Sequence, residues 1–233
     1  MKRGEAIRRV WAWRKRSGWP VLLALLAITA LDDARAEVLT IYAEYDFLPA
    51  DAPEVVHFLY SHVEHLLLAP AFVLWLLGRQ RAFRVCLMVL LGLVTYFLAI
   101  DVTLLIITLP TRANEAGAFA LLWDAFLVWT ANLMIFATWY WTVDRWGPGA
   151  LASDPSAPRD FWFPEQDRAT LGGEHWRPGF IDYLFLAFNT STAFSVTHTQ
   201  FVSPRTKVLM MLQATMSLII VAMLAARVVN IIA

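Results

Sequence analysis

Long uninterrupted apolar runs, separated by short polar segments, dominate this chain. Four runs reach the roughly 20 residues that a helix needs to cross ~30 Å of hydrocarbon: Val55–Leu77, Phe83–Leu109, Gly117–Val143 and Val208–Ile232. Two shorter apolar segments are Trp19–Leu31 and Phe180–Val196. Because lipid offers no partner to unpaired backbone groups, the pattern predicts an all-α polytopic membrane helical bundle of about six helical segments. The alternative is five full spans plus one short or re-entrant segment.

Composition agrees with this pattern. Hydrophobic residues make up 59% of the chain and charged residues only 16%, whereas average proteins have about 45–50% and 25%. A bilayer must cover the excess apolar surface, so lipid is the expected partner. A net charge of zero gives no indication of a nucleic-acid partner. The single Cys86 lies inside an apolar run, which excludes a disulfide framework and a cysteine metal site.

Basic residues predict the orientation of the chain. Seven of them precede the first apolar segment: Lys2, Arg3, Arg8, Arg9, Arg14, Lys15 and Arg16. By the positive-inside rule this arm stays in the cytoplasm, so we expect a multi-pass protein of the bacterial cytoplasmic (inner) membrane with its N-terminus inside. The predicted division begins with a cytoplasmic basic arm (1–18) and four membrane helices (19–143). A cytoplasmic irregular connector (144–178) and a channel-like helix–turn–helix module (179–233) follow.

Two points of topology stay open. With six spans, 15 of the 19 Lys and Arg residues lie inside, and with a re-entrant segment 180–196 the number is 16, so charge does not choose between these alternatives. The first apolar segment is followed by Ala34-Arg35-Ala36, and this order also describes a secretory signal peptide within residues 1–36. Its cleavage would leave the remaining topology unchanged.

We nominate three ionisable residues within the apolar runs as intramembrane candidates: Asp101, Asp124 and Arg227. Near the bilayer centre each costs about 2.5–3.5 kcal/mol on insertion scales, which makes each a functional hypothesis by default. In the alternative, Asp101 and Asp124 lie close to the outer interface with Arg112 as a neutralising neighbour. Arg227 then reaches the cytoplasmic surface by snorkelling.

One helix face at the start of run 55–77 is polar. At 100° per residue, His57, His62, Glu64 and His65 fall on this face. Imidazole and carboxylate groups bind zinc or iron, and histidine titrates near neutral pH, which suits proton transfer or pH sensing. The third interpretation is a polar face at headgroup depth. No nucleophile elbow, phosphate loop or zinc-protease motif indicates an enzyme, and the sequence predicts no cofactor.

The C-terminal third concentrates hydroxyl and amide side chains. A Ser/Thr-rich turn contains Thr190, Ser191, Thr192, Ser195 and Thr197. In the last apolar helix Thr206, Gln213, Ser217 and Arg227 fall within about 80° of one another. One interpretation is a stripe that lines a pore or binds a solute, facing the turn. The other is interhelical hydrogen bonding, which contributes around 0.6 kcal/mol per contact.

Aromatic residues cluster where apolar runs end. We interpret Trp139, Tyr140, Trp141 and Trp146 as an interfacial belt rather than a ligand cage. We place the connector aromatics Phe161-Trp162-Phe163 at headgroup depth in the same way. Both interpretations predict side chains that face lipid rather than the interior of the protein.

The segment Asp182–Asn230 runs from a short aromatic apolar stretch through the Ser/Thr-rich turn into a long apolar helix. This order resembles the pore helix, filter loop and inner helix of a two-transmembrane potassium-channel pore module. Where such a pore has Thr-Val-Gly-Tyr-Gly, this chain has Thr192-Ala193-Phe194-Ser195-Val196-Thr197-His198, without glycine. Glycine lets a filter backbone turn its carbonyls toward one axis, so the resemblance implies the architecture rather than potassium conduction. The connector, extracellular in such a pore, is predicted to be cytoplasmic here.

A second resemblance covers roughly residues 132–230. It rests on Asn132, Trp139-Tyr140-Trp141, Asp144-Arg145, Asp160-Phe161-Trp162-Phe163-Pro164, Asp182-Tyr183-Leu184-Phe185, Ser195-Val196-Thr197 and Ser203-Pro204-Arg205. This layout is similar to that of uncharacterised bacterial multi-pass membrane proteins, the domain of unknown function 1345. The resemblance implies an inner-membrane protein and supplies no catalytic residues.

Three functional hypotheses follow. The first is an ion channel or small-solute permeation protein, which would bind an inorganic ion and require a homo-oligomer around an axis. The second is a membrane interaction or assembly protein without transport. The third is a metal- or proton-handling membrane enzyme centred on His57, His62, Glu64 and His65.

Overall fold

A computed structural model describes residues 19–38, 68–111, 118–146, 160–165, 178–192 and 199–232. Within these ranges the chain is helical apart from two short strands, which confirms the all-α class. The helices are α1 (Trp19–Val38), α2 (68–76), α3 (Gln80–Thr111), α4 (Ala118–Trp146), α5 (Phe180–Thr192) and α6 (Pro204–Ile232). The strands are β1 (Phe161–Trp162) and β2 (Gln200–Phe201).

Three helices are long and apolar enough to cross a membrane, which indicates a membrane protein. Their apolar stretches are Arg81–Thr103, Leu122–Asp144 and Pro204–Ala226. They confirm three of the four long runs predicted from the sequence. The fourth run, at residues 55–77, is described only from residue 68 onward.

Helix α1 is longer than the predicted 13-residue segment. Its apolar part, Leu22–Leu31, agrees with the prediction, but the helix continues through Asp32 and Asp33 to Val38. The acidic stretch that begins at Asp32, for which the sequence favours a short helix or turn, is thus helical as far as Val38. Hydropathy marks where a helix leaves an apolar environment, and backbone hydrogen bonding continues beyond that point because Asp, Ala and Arg tolerate helical geometry.

Helix α4 is the centre of the bundle and packs against α1, α3, α5 and α6. In its membrane-length stretch 72% of the residues are buried, compared with 33% in α3 and 22% in α6. Its fully buried side chains include Phe136, Tyr140 and Trp141. In contrast, α6 turns apolar residues such as Met211 and Leu218 outward, as expected of a helix in contact with lipid.

A tight turn joins α2 to α3 at Gly78. The Gly78 N–H donates to the Trp75 carbonyl and the Arg79 N–H to the Leu74 carbonyl, both at 3.1 Å. This is a Schellman motif, which needs a left-handed residue after the helix. Gly78 has φ 66°, a conformation that costs a residue with a Cβ about 1–2 kcal/mol.

A small sheet fixes the chain on both sides of α5. Strand β1 pairs with β2 in antiparallel fashion, with Phe161 opposite Phe201 and Trp162 opposite Gln200. The Phe161 ring is the centre of an aromatic cluster and contacts Tyr140, Tyr183 and Phe201 edge-on at centroid distances of 5.5, 5.9 and 5.3 Å. Edge-on pairs of this kind contribute about 0.5–1.5 kcal/mol each beyond their burial.

This cluster corrects the aromatic predictions. Tyr140, Trp141 and Phe161 are fully buried and Phe163 nearly so, so they pack inside the protein rather than facing lipid. The belt interpretation failed because hydropathy registers amphipathic rings at a helix end without showing which other elements cover them. Trp139 is half-buried and its indole N–H donates to the Thr95 hydroxyl at 2.9 Å.

The pairing of β1 with β2 bears on the topology that the sequence left open. Helix α5 has 13 residues and is about 20 Å long at 1.5 Å per residue, which is too short to cross ~30 Å. It lies between two strands that hydrogen-bond to each other. The chain therefore enters α5 from one end of the bundle and is back at that end, hereafter the connector end, before α6 begins. The five-span alternative with a re-entrant segment fits this structure.

Replacing Gly78 with Ala should lower the free energy of unfolding by about 1–2 kcal/mol, because the Cβ of Ala makes the left-handed backbone conformation unfavourable. Gly92→Ala is the matched control. Gly92 is exposed inside α3 and a Cβ there would meet no atom within 4 Å, so Ala should be neutral or stabilising by up to about 1 kcal/mol. Thermal unfolding in detergent measures both, and equal effects would contradict the role assigned to Gly78.

Labelling tests the re-entrant path. In a Cys86→Ser background, Glu165→Cys and Gln200→Cys replace two exposed residues on either side of α5. Both thiols should react with a membrane-impermeant maleimide from the same side of the membrane, because β1 and β2 are paired. The Cys86→Ser parent controls for background labelling. Reaction from opposite sides would show that α5 and the following residues cross the bilayer.

Candidate functional site

Two layers of buried hydrogen bonds join α4, α5 and α6. In the first, the Tyr140 hydroxyl donates to Gln213 Oε1 at 2.5 Å and Gln213 Nε2 donates to the Ala187 carbonyl at 2.8 Å. In the second, Asn132 Nδ2 donates to Ser217 Oγ at 2.5 Å and Ser217 Oγ donates to Ser191 Oγ at 2.8 Å. We call these residues the polar interface.

Helix geometry explains why the layers align. Gln213 and Ser217 are four residues apart on α6, and Ala187 and Ser191 are four residues apart on α5, so each pair lies on one face. Both helices run away from the connector end and are therefore parallel. Equal spacing on two parallel helices keeps the layers in register, because both helices rise by the same distance per residue.

The polar interface is closed to solvent. Asn132, Gln213 and Ser217 are each at most 1% exposed. A buried polar group without a hydrogen bond costs about 1–3 kcal/mol, so the layers stabilise this packing and disfavour others. One acceptor remains: Asn132 Oδ1 is buried with no hydrogen-bond partner in the described part of the chain. The bonds thus hold α5 at one depth along α6.

An ion pair anchors the connector end. Arg205 makes two hydrogen bonds of 2.8 Å to the carboxylate of Asp160. Asp160 is 3% exposed and Arg205 is 49% exposed, so the pair is partly screened by solvent and contributes modestly. The Asp160 carbonyl accepts a bond of 3.0 Å from the Val202 N–H. These contacts attach the connector to the start of α6.

Helix caps determine where α5 and α6 begin. The Asp182 carboxylate accepts a hydrogen bond of 2.7 Å from the Gly179 N–H, and its negative charge in the first turn favours the positive end of the α5 dipole. At α6, Ser203 Oγ accepts from the Thr206 N–H at 3.4 Å, with Pro204 at the first helical position, where a missing N–H costs nothing. The hydroxyl of Tyr183 donates to the Asp144 carboxylate and joins α5 to the end of α4.

The structure brings together several residues that the sequence nominated as pore-lining or solute-binding. Gln213, Ser217 and Ser191 meet inside one chain, as the helical stripe required. The hydroxyls of Thr190 and Thr192 donate to the Leu186 and Phe188 carbonyls of their own helix, at 2.9 and 3.0 Å. Ser195 and Thr197 lie outside the described residues.

Two of the three ionisable candidates have side chains that the structure describes. Asp124 is 3% exposed, so it faces the bundle interior, and Asp101 is half-buried on α3. Arg227 belongs to α6, but its side chain is outside the described part of the chain. The metal candidates His57, His62, Glu64 and His65 also lie outside it. Among the described residues no three His, Cys, Asp or Glu side chains are grouped as metal ligands would be.

Sequence reasoning missed four residues that organise this site: Tyr140, Asn132, Asp160 and Arg205. Asn132 had a signal, since an amide inside an apolar run needs a partner. Nothing in the sequence distinguished the role of Tyr140 from that of the neighbouring aromatic residues Trp139 and Trp141. Asp160 and Arg205 are 45 positions apart, and no local pattern links residues at that separation.

Comparisons of the chain with protein-family models, with curated proteins and with solved structures gave no match. The two family resemblances therefore remain predictions.

The polar interface predicts measurable coupling between Tyr140 and Gln213. Tyr140→Phe removes one hydroxyl and should cost about 0.5–1.5 kcal/mol of unfolding free energy. Gln213→Leu should cost more, about 1–3 kcal/mol, because it leaves the Tyr140 hydroxyl without its acceptor in a buried site. In a double-mutant cycle the combined loss should be smaller than the sum of the two.

Met211→Leu is the control for this cycle. It changes an exposed side chain of the same helix and should leave stability within about 0.5 kcal/mol. Strict additivity of the Tyr140 and Gln213 effects would contradict a direct bond between them.

Proposed function

We propose that this protein is a membrane permeation protein, an ion channel or a pathway for a small polar solute, whose pathway is formed around the tip of α5. One observation carries the proposal: the strands on either side of the 13-residue α5 are paired with each other, which supports a re-entrant α5. The oligomer that such a pathway requires is part of the proposal.

The depth of α5 supports this function. Its C-terminal end lies about 20 Å from the connector end, within the thickness of a ~30 Å hydrocarbon layer. Backbone that is not helical at membrane depth is tolerated where it is buried in protein or lines a water-filled cavity. The last carbonyls of a helix also carry a partial negative charge. A re-entrant helix of this length therefore presents oxygen atoms and a cation-attracting end at that depth.

The proposal divides the nominated residues by role. Thr192, Ser195 and Thr197 supply oxygens to the permeant species, with Thr192 at the tip of α5. Gln213, Ser217 and Ser191 are positioning residues, because their hydrogen bonds are made within one chain and their side chains are buried. Thr190, one residue before Ser191, belongs with Thr192 as an oxygen donor near the tip.

The orientation of the pathway follows from charge. Helix α3 precedes α4 by only six residues, 112–117, too few to retrace a helix of about 43 Å, so α3 begins at the connector end. Arg79, Arg81 and Arg84 therefore share that end with Arg205 and Lys207. By the positive-inside rule this is the cytoplasmic side of an inner membrane, which also agrees with a cytoplasmic N-terminus.

A second candidate is a membrane interaction or assembly protein without transport. The burial of Gln213 and Ser217 favours it, because a stripe used completely for packing within one chain has no groups left for a solute. In this case α5 would brace α6 and the connector.

Ion flux into liposomes that contain the purified protein tests the proposal. We would compare K⁺, Na⁺, H⁺ and Cl⁻ for the wild type and for Thr192→Val/Ser195→Val. Loss of oxygen ligands at the pathway should lower flux by about tenfold or more, since each lost polar contact costs about 1–2 kcal/mol. The fold should be retained, because the hydrogen bonds that the described residues make with Thr192 lie within its own helix.

Thr215→Val is the matched control. The Thr215 hydroxyl also donates to the carbonyl four residues earlier, Met211, at 2.9 Å, but on the exposed side of α6. It should leave flux unchanged. No flux of any ion through folded, inserted wild type would favour the assembly function instead, and an equal loss in Thr215→Val would exclude a specific role for the tip of α5.

A further inference from the structure

The connector end of the bundle carries exposed cations beside two neighbouring helices. Arg79 and Arg81 stand at the start of α3, and Lys207 lies in the first turn of α6. All three are exposed. Helices α3 and α6 pack against each other and both run away from the connector end, so the three cations lie at the same end of two adjacent helices, hereafter the edge.

These cations differ from the neighbouring Arg205. Within the described residues Arg205 is paired with Asp160, whereas Arg79, Arg81 and Lys207 form no ion pair there. Among the acidic residues that the structure describes at this end, Asp182 caps α5 and Asp144 accepts a hydrogen bond from Tyr183. Glu165, which is exposed, belongs to the connector beside β1. As far as the structure describes it, the edge formed by α3 and α6 is thus positively charged.

The position of the edge relative to the membrane identifies its partner. The membrane-length stretches begin at Arg81 and at Pro204, so the three cations stand at or within one turn of the apolar boundary. Long basic side chains at this depth extend toward the headgroups. The α3 and α6 dipoles add partial positive charge at the same level.

We propose that Arg79, Arg81 and Lys207 form a binding site for the phosphate headgroups of anionic phospholipids. The site is independent of the permeation proposal, since it uses neither α5 nor the polar interface. Each basic residue near an anionic surface contributes about 1 kcal/mol, which corresponds to about fivefold in affinity. Together the three account for on the order of a hundredfold preference over zwitterionic lipid.

The experiment titrates phosphatidylglycerol or phosphatidylcholine into detergent-solubilised full-length protein and follows Tm. Phosphatidylglycerol should raise Tm of the wild type at concentrations where phosphatidylcholine does not, and 0.5 M NaCl should weaken the effect because surface charges are screened. In Arg79→Gln/Arg81→Gln/Lys207→Gln the half-maximal phosphatidylglycerol concentration should rise on the order of a hundredfold. The three single variants should each show about a fivefold rise, which keeps the test valid if the triple variant does not fold.

Charge-conserving replacement is the matched control. Arg79→Lys/Arg81→Lys/Lys207→Arg should keep the preference for phosphatidylglycerol. Equal stabilisation of the glutamine variants and the wild type, or no preference in the wild type, would overturn the proposal. Stabilisation by soluble glycerol phosphate to the same extent would assign the edge to free phosphate and overturn the lipid assignment.

Discussion

The need to satisfy polar groups away from water governs the C-terminal half of this protein. Gln213 contacts two other helices at once, accepting a hydrogen bond from the Tyr140 hydroxyl and donating one to the Ala187 carbonyl. Inside an apolar bundle neither partner has water as a substitute, so a displacement of α5 along α6 leaves several groups without bonds. The four-residue spacing repeats the constraint at Ser217 and Ser191. The depth of α5 follows from this interface.

The connector end supplies the second constraint. The segments on both sides of α5 are held together by β-pairing, edge-on aromatic packing and the Asp160–Arg205 pair, which all act on the same few residues. Apolar packing contributes most of the stabilisation there, because Phe161 is fully buried whereas about half of the Arg205 side chain is exposed to solvent. The ion pair adds direction, since two parallel bonds between a guanidinium and a carboxylate fix the angle at which the chain enters α6.

The permeation proposal and the lipid site use different ends of the same architecture. The tip of α5 lies beside the apolar stretch of α6, whereas Arg79, Arg81 and Lys207 lie near the start of the apolar stretches of α3 and α6. Helices α3 and α6 connect the two levels, and α6 contacts α5 through the polar interface. Helix α6 therefore connects the proposed headgroup site at its start with Gln213 and Ser217, the residues that hold α5 in place.

The sequence by itself determined the class of protein and most of the helices. Runs of apolar residues predict spanning helices because the length of a run and the thickness of hydrocarbon are directly comparable, and three of the four long runs are confirmed. The stripe of Gln213 and Ser217 was also visible, because helical periodicity places residues four apart on one face. Tertiary structure alone decided what the stripe faces, that α5 returns to its starting end, and that Tyr140 and Phe161 are core residues. Each of these depends on contacts between residues far apart in the chain, such as Phe161 with Phe201 or Asn132 with Ser217, and local hydropathy carries no information about partners at that distance.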